Sequence, residues 1–508
     1  YSDLKELGMD VNGLNPRNIR IYHNGGGTLP EQNSAARYDD LVEVPVYVQG
    51  ESDGVFNEGD YVLFYARGPV VWKYKADKTM YEHRQNAYSD YAYAFVTADL
   101  GPGKRIQNAE NIGTTAAQTF TDFVDYKVHE SDEYNLTHSG KAFYGDIIDG
   151  EGSKTFNFNF ANVRTDRDCK LHLELVGRNF RPARFDVYVN DNLKATYPVA
   201  ATSSDSRDPF AIPVGGYVVT RPGQQGAKVE LRRVGASGTT SKGYVDYISV
   251  NVWRLLQYSG SQMMFRNPEA LDASTVYAFR LENASPNVKV WDVTNPVMPK
   301  QTDGQWSGTT YTYKIMGNAD NEFVAFDGSG FLSPEKFGAV ANQNLHGVRN
   351  IDYVMVAYPD FVAQAERLKN IHAAIDPDLD ILITTPQAIY NEFSCGAKDV
   401  SAIRDFCRML YLDSDSGKEL KYLLLFGDAS FDHKNRSGIV DFVPTFETYS
   451  CSDVNRNYVT DDYFGSFDPS EGGINESLAD IGIGRLPVAT VESAAQMVDK
   501  IERYVAKN

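Results

Sequence analysis

The chain is poor in cysteine and in positive charge, and it lacks any long apolar run. Its 508 residues include four cysteines, Cys169, Cys395, Cys407 and Cys451. That is too few for a disulfide framework, and their spacing fits no zinc-binding pattern. They read as small buried hydrophobes. Lys and Arg number 49 against 68 Asp and Glu, a formal net charge of −19. Phosphate contacts need a surplus of Lys and Arg, so no nucleic acid is expected as a partner. A solvated acidic surface explains the imbalance, and bound calcium, which prefers carboxylate oxygens, is the alternative. No stretch approaches the ~20 apolar residues of a membrane helix, so no transmembrane segment is expected in this chain. The strongest run, Tyr422-Leu-Leu-Leu-Phe426, is strand-sized. No signal peptide opens the sequence, and Tyr1-Ser-Asp-Leu4 reads as a mature or trimmed start. The triple glycine Asn24-Gly-Gly-Gly27 has no Gly-Lys-Ser/Thr after it, which argues against a phosphate cradle.

What is present is globular and aromatic. Hydrophobic residues make up 42%, and 32 Tyr and 27 Phe favour β-rich packing. A chain this long exceeds one hydrophobic core. Residues 1–115 carry short strand-like runs such as Val42–Val48 and Tyr61–Tyr65 between turns, a β-rich N-terminal domain. Residues 116–258 read as a β-sandwich. Lys170–Val176, Phe185–Val189 and Lys228–Arg232 alternate with period two, Tyr244–Trp253 reads as another strand, and turn signals recur at intervals of roughly ten residues. Residues 259–345 continue β-rich, as a further domain or a linker region.

The pattern changes at residue 346. Strand-sized runs at Tyr353–Tyr358, Asp380–Thr384, Tyr422–Phe426 and Ile481–Ile483 alternate with amphipathic segments. One has Phe361, Ala365, Leu368 and Ile371 on one face. A second, Asp399 to Tyr411, aligns Ile403, Phe406, Cys407 and Leu410. The last aligns Val491, Ala494, Val498, Ile501 and Val505. Strands alternating with helices predict a parallel, doubly wound α/β sheet over 346–508.

In such sheets ligands bind beyond the carboxyl ends of the strands. Gly427-Asp428 and Gly484-Arg485 lie at two of those ends, and Asp432 with His433 follows the first. Asp453, Asp461, Asp462 and Asp468 occupy the loop before the last strand. Two acid clusters therefore converge on one rim. Asp462 or Asp461 could orient a catalytic histidine. Asp428, Asp432 and Asp468 could hold calcium. All could instead cap turns and helices. Arg485 could grip a carboxylate or pair with neighbouring acids. His433 reads as a solvent-facing loop histidine, His346 and His372 as structural. Asp53, Asn57 and Asp60 suit a turn better than a calcium loop. Cys395, in a loop before a helix, could act only if the fold supplied a base.

The motifs Tyr390-Asn-Glu-Phe-Ser394, Ala402-Ile-Arg-Asp-Phe406, Tyr422-Leu-Leu-Leu-Phe-Gly-Asp428, Thr460-Asp-Asp-Tyr-Phe-Gly465 and Ile481-Gly-Ile-Gly-Arg-Leu-Pro487 resemble the gingipain-like cysteine peptidases that serve as sortases of type IX secretion. Gly59–Tyr65, Tyr88-Ser-Asp90, Val290–Asn295 and Asn342–His346 fit the same pattern, so the resemblance spans nearly the whole chain. It implies a caspase-like α/β catalytic domain behind β-rich domains, with a Cys nucleophile and a His base. It implies removal of C-terminal signal domains from secreted cargo proteins and attachment of the cargo to a lipopolysaccharide acceptor. The location would be the outer membrane, at the cell surface, with other type IX secretion components as partners. The family's His and Cys follow the Gly-Arg-Leu-Pro strand and its helix, where this sequence stops. The expectation is thus the N-terminal part of a catalytic domain, truncated, inactive by itself and with an unpaired strand edge. Only the acid loop carries over, Asp462 first and Asp461 second. The alternative is a non-catalytic adhesion or docking module that binds cargo or glycan.

Overall fold

The computed structural model describes residues 1–236, 238, 240–472 and 478–507. The first segment is built from short strands: Val42–Val44, Arg20–His23 and Phe95–Thr97 form an antiparallel sheet, and Tyr47–Gln49 with Tyr61–Leu63 and Val70–Lys75 with Met80–Gln85 form two ribbons.

The β-sandwich expected from alternation is present. One sheet orders Asp122–Glu130, Lys242–Leu255, Cys169–Arg178 and Ile212–Thr220, with Gly145–Asp149 also on Lys242–Leu255. The facing sheet orders Ser153–Asn159, Gly226–Val234, Ala183–Val189 and Asn192–Val199. Leu171, Leu173, Leu175, Val187, Val229, Leu231 and Val250 are fully buried between them. Each such side chain contributes roughly 1.5–3 kcal/mol relative to exposure.

Residues 259–345 add two more sheets around a core containing Phe265, Phe279, Tyr313 and Phe323. Two short upstream strands join them in parallel, Gln107–Asn108 beside Lys300–Gln301 and Gln118–Phe120 beside Val276–Leu281. Residues 327–344 then cross to the last domain without regular structure.

The α/β domain contains β1 (Tyr353–Ala357), α1 (Val362–Ile375), β2 (Ile381–Thr384), α2 (Pro386–Phe393), α3 (Val400–Leu412), β3 (Tyr422–Phe426), β4 (Gly482–Leu486) and α4 (Val491–Val505). The sheet is parallel throughout, in the order β2-β1-β3-β4. Side chains alternate across it, so β1 sends Met355 and Ala357 to α1 and α4, and Val354 and Val356 to α2 and α3. This is the doubly wound arrangement, with helices on both faces. Asp399 caps α3 by accepting the Ser401 N–H at 2.9 Å.

Two elements differ from the sequence reading. The stretch leading to Cys395 is a helix, α2, started by Thr385 as cap and Pro386 in its first turn. Its eight residues are too few to display a helical period clearly. The fourth strand runs to Leu486, which places Arg485 inside it. Among the described residues β4 has β3 as its single neighbour. Val491 and Tyr504 of α4 are exposed. Among the described residues no helix is long and apolar enough to cross a membrane.

Candidate functional site

The carboxyl rim of the sheet is organised by one cation. Arg485, near the end of β4, donates to both oxygens of Asp461, each at 2.7 Å. Its remaining N–H groups reach the carbonyls of Gly427 at 2.9 Å, Val443 at 2.6 Å and Pro444 at 3.0 Å. All five donors of the guanidinium are thereby used, so it acts as a clamp joining three loops and has none left for a substrate carboxylate. Asp461 also accepts the Thr445 hydroxyl at 2.8 Å. Gly427 sits where the chain leaves β3 with φ +154°, and a Cβ there would lie 2.9 Å from a Val443 methyl.

The other acids fall into separate environments. Asp462 opens a short 3-10 turn, Asp462–Gly465, and its side chain is exposed next to the clamp. Asp428 is exposed, and its carboxylate accepts the Ala429 N–H at 3.0 Å. Asp432 is fully buried and closes its own loop, accepting the Arg436 N–H at 2.8 Å and the Ser437 hydroxyl at 2.6 Å. Asp468 lies on the surface, where its carbonyl holds the Asn33 amide at 2.8 Å. Asp428, Asp432 and Asp468 therefore do not gather around one point. Among the described residues, Asp40, His346 and Glu392 are the three whose ligand atoms come close enough to share an ion. There the Glu392 carboxylate is already occupied by the N–H groups of Leu345 and His346, the Gln343 amide and the His346 ring. With its buried carboxylate so engaged, this trio is a poor match for calcium, which prefers free carboxylate oxygens. Asp53 and Asp60 bind the side chain and backbone of Asn57, which is turn chemistry.

His433 corrects the sequence reading. It is buried, not solvent-facing: its Nδ1 lies 2.9 Å from Asp441, and Lys398 reaches the same carboxylate oxygen at 2.6 Å. Burial lowers the imidazole pKa, while His433 and Lys398 together hold Asp441, despite its own burial, down at about 2. Nδ1 faces Asp441, and Nε2 has no hydrogen-bond partner. An isolated Asp-His dipeptide in sequence gave no sign of this, because Asp441 lies eight residues on.

No thiol at the rim is poised for attack. All four cysteines are free and buried. Burial pushes Cys395 and Cys169 up to about 12 and Cys451 up to about 11, and it raises Cys407 further. A nucleophilic cysteine needs the opposite shift. Cys395 follows the Ser394 cap of α2 with φ +52°, its sulfur 3.4 Å from the Tyr93 carbonyl.

The N-terminal segment latches this domain in place, which sequence reading did not reveal. The Leu29 N–H donates to Asp399 at 2.9 Å, Arg37 pairs with Asp405 at 2.6 Å, and Arg404 donates to the Glu31 carbonyl. Asn33 reaches Ser466 and Asp468 on the acid loop.

The doubly wound parallel sheet and its Arg-clamped acid loop lie within residues 346–508, which match the model of Peptidase family C25, the gingipain family of cysteine peptidases. No curated protein matches the chain. The whole fold is similar to the crystal structure of dimeric latent PorU from Porphyromonas gingivalis, with 26% identity and a TM-score of 0.83. That match covers 97% of this chain and 47% of PorU, so the chain spans about half the length of the protein it resembles. Two carbohydrate-binding modules overlap far less. A CBM36-1 domain of a multidomain xylanase from the hindgut metagenome of Trinervitermes trinervoides has 15% identity over 25% of this chain and 96% of its own, at a TM-score of 0.17. A CBM36 module in complex with calcium and xylotriose has 13% identity over 26% and 99%, also at 0.17. Overlaps that small say nothing of what the sandwich binds.

Proposed function

We propose that the chain is the N-terminal portion of a sortase-like cysteine endopeptidase and transpeptidase. Its cargo is secreted protein bearing a C-terminal signal domain. A thiolate attacks the peptide carbonyl, expels the signal domain as its amine and leaves a thioester on the enzyme. An amine of a lipopolysaccharide acceptor, or water, then takes the acyl group and restores the thiol. The work is done at the outer membrane, on the cell surface, among other type IX secretion components. The observation that carries this reading is the likeness to PorU over 97% of the chain. The four thiols here are buried and protonated, so the reading places nucleophile and base outside these 508 residues. Asp462, exposed beside the Arg485–Asp461 clamp, is the acid proposed to orient that base.

The test is complementation. Cells lacking the full-length protein should secrete cargo that keeps its signal domain and carries no lipopolysaccharide, and the full-length gene should restore both. Asp462→Ala in that gene is expected to slow processing roughly 100-fold. Normal cargo maturation in the deleted cells would overturn the reading.

A further inference from the structure

We propose that Asp40, His346 and Glu392 bind a zinc ion that ties the N-terminal segment to the α/β domain. The three come from distant parts of the chain: the loop before Val42–Val44, the turn Leu345–Gly347 that opens the α/β domain, and α2. Their ligand atoms nevertheless lie within 4.8 Å of one another. Nδ1 of His346 is 2.8 Å from Oε2 of Glu392 and 3.8 Å from Oδ1 of Asp40. Zinc bonds of about 2.0 Å at the tetrahedral angle put ligand atoms ~3.3 Å apart, and the two spacings straddle that value.

The imidazole is oriented as a ligand. Its Nε2 lies 3.0 Å from the Asp39 carbonyl. A carbonyl only accepts, so Nε2 carries the proton, and in the neutral ring Nδ1 presents a lone pair. That lone pair faces the two carboxylates. Acceptors turned on one another in this way need a cation between them, either a metal ion or a second ring proton. An N–H donated to a backbone carbonyl is also the outer contact by which a protein fixes a metal-binding histidine. Phe393 stacks on the ring at 4.1 Å with the planes 14° apart, which holds it in that orientation.

The hydrogen bonds of Glu392 choose the ion. Its Oε1 accepts the Gln343 amide and the Leu345 N–H, each at 2.7 Å, and its Oε2 accepts the His346 N–H at 3.0 Å. A carboxylate oxygen has two lone pairs, so Oε1 is filled and Oε2 keeps one, on the side of Nδ1. One open direction on a braced carboxylate suits zinc, which takes few ligands and mixes nitrogen with oxygen. Calcium needs about six to eight oxygens. Asp40 completes the set. Its side chain is exposed and its Oδ1 accepts the Leu41 N–H at 2.6 Å, so a small movement closes it on the ion. The same exposure gives the ion its entry and admits water as the fourth ligand.

Titration calorimetry of the folded 508-residue chain, stripped of metal with EDTA, tests this with Zn²⁺ as the probe and Ca²⁺ as the control. A saturable zinc site that calcium does not displace is expected. Asp40→Asn should weaken it at least about tenfold with the circular dichroism spectrum unchanged. X-ray absorption at the zinc edge of the wild-type complex should show one imidazole among oxygen ligands and no sulfur, a readout that stands even if the variant fails to fold. Absence of saturable zinc binding would mean an imidazolium–carboxylate pair only and would overturn the proposal. Undiminished binding by the folded variant, or a zinc shell containing sulfur or lacking imidazole, would overturn it too. None of these readouts depends on peptidase activity, so the result is independent of the function proposed above.

Discussion

Arg485 and Asp461 meet through two parallel hydrogen bonds of 2.7 Å, and the same guanidinium also takes the carbonyls of Gly427, Val443 and Pro444. One side chain near the end of an edge strand thus fixes the loop after β3, the 443–444 segment and the acid loop together. Replacing it by Lys supplies three donors on a point charge and loses the fork. Arg485→Lys is expected to destabilise the rim by on the order of 2 kcal/mol and Arg485→Ala by on the order of 4 kcal/mol, since Asp461 then keeps a poorly compensated charge. Amide hydrogen exchange across 443–462 reads this locally, and unchanged protection in the Ala variant would contradict the clamp.

Asp399 serves two elements at once, the start of α3 through Ser401 and the N-terminal latch through Leu29. Asp399→Ala removes the cap and strands a buried N–H, a combined cost of about 3 kcal/mol. Early exchange at Leu29 and in the first turn of α3 is expected, together with faster proteolysis of residues 28–37. Asp399→Asn keeps one acceptor and should show a smaller effect.

Glu447 is 2% exposed with Oε2 unpaired, and burial pushes its pKa up to about 7 from 4.5. Between those values the unfolded chain has released a proton that the folded one still holds. Stability therefore falls as pH rises from about 4.5 to about 7, with the full penalty present above that window. Thermal midpoints of Glu447→Gln against wild type should separate progressively over that range in favour of the variant. Parallel curves would contradict the assignment.

The four thiols are expected to resist iodoacetamide at neutral pH in the native protein and to react fully in denaturant. Quantifying adducts by intact mass checks this. Labelling of Cys395 or Cys451 without unfolding would show that burial does not protect them.

Much of the fold was legible because periodicity is a local record of burial. Alternation in Lys170–Val176 and Phe185–Val189 marked sandwich strands, and the 3.6-residue spacing of Ile403, Phe406, Cys407 and Leu410 marked α3. The helix α2 escaped because eight residues span scarcely two turns. At the rim, the sequence placed Asp461 and Arg485 close to strand ends but could not say that they bind each other. His433 was misread because its partner Asp441 and the Lys398 that joins them come from different loops.

Composition and local pattern by themselves determined the acidic surface, the β-rich first part and the parallel α/β ending, because each depends on residues near one another in the chain. Tertiary structure alone decided which acids are clamped, which are exposed and which are left without a partner. Those states depend on desolvation and hydrogen bonding between groups far apart in sequence, and packing is what brings such groups together.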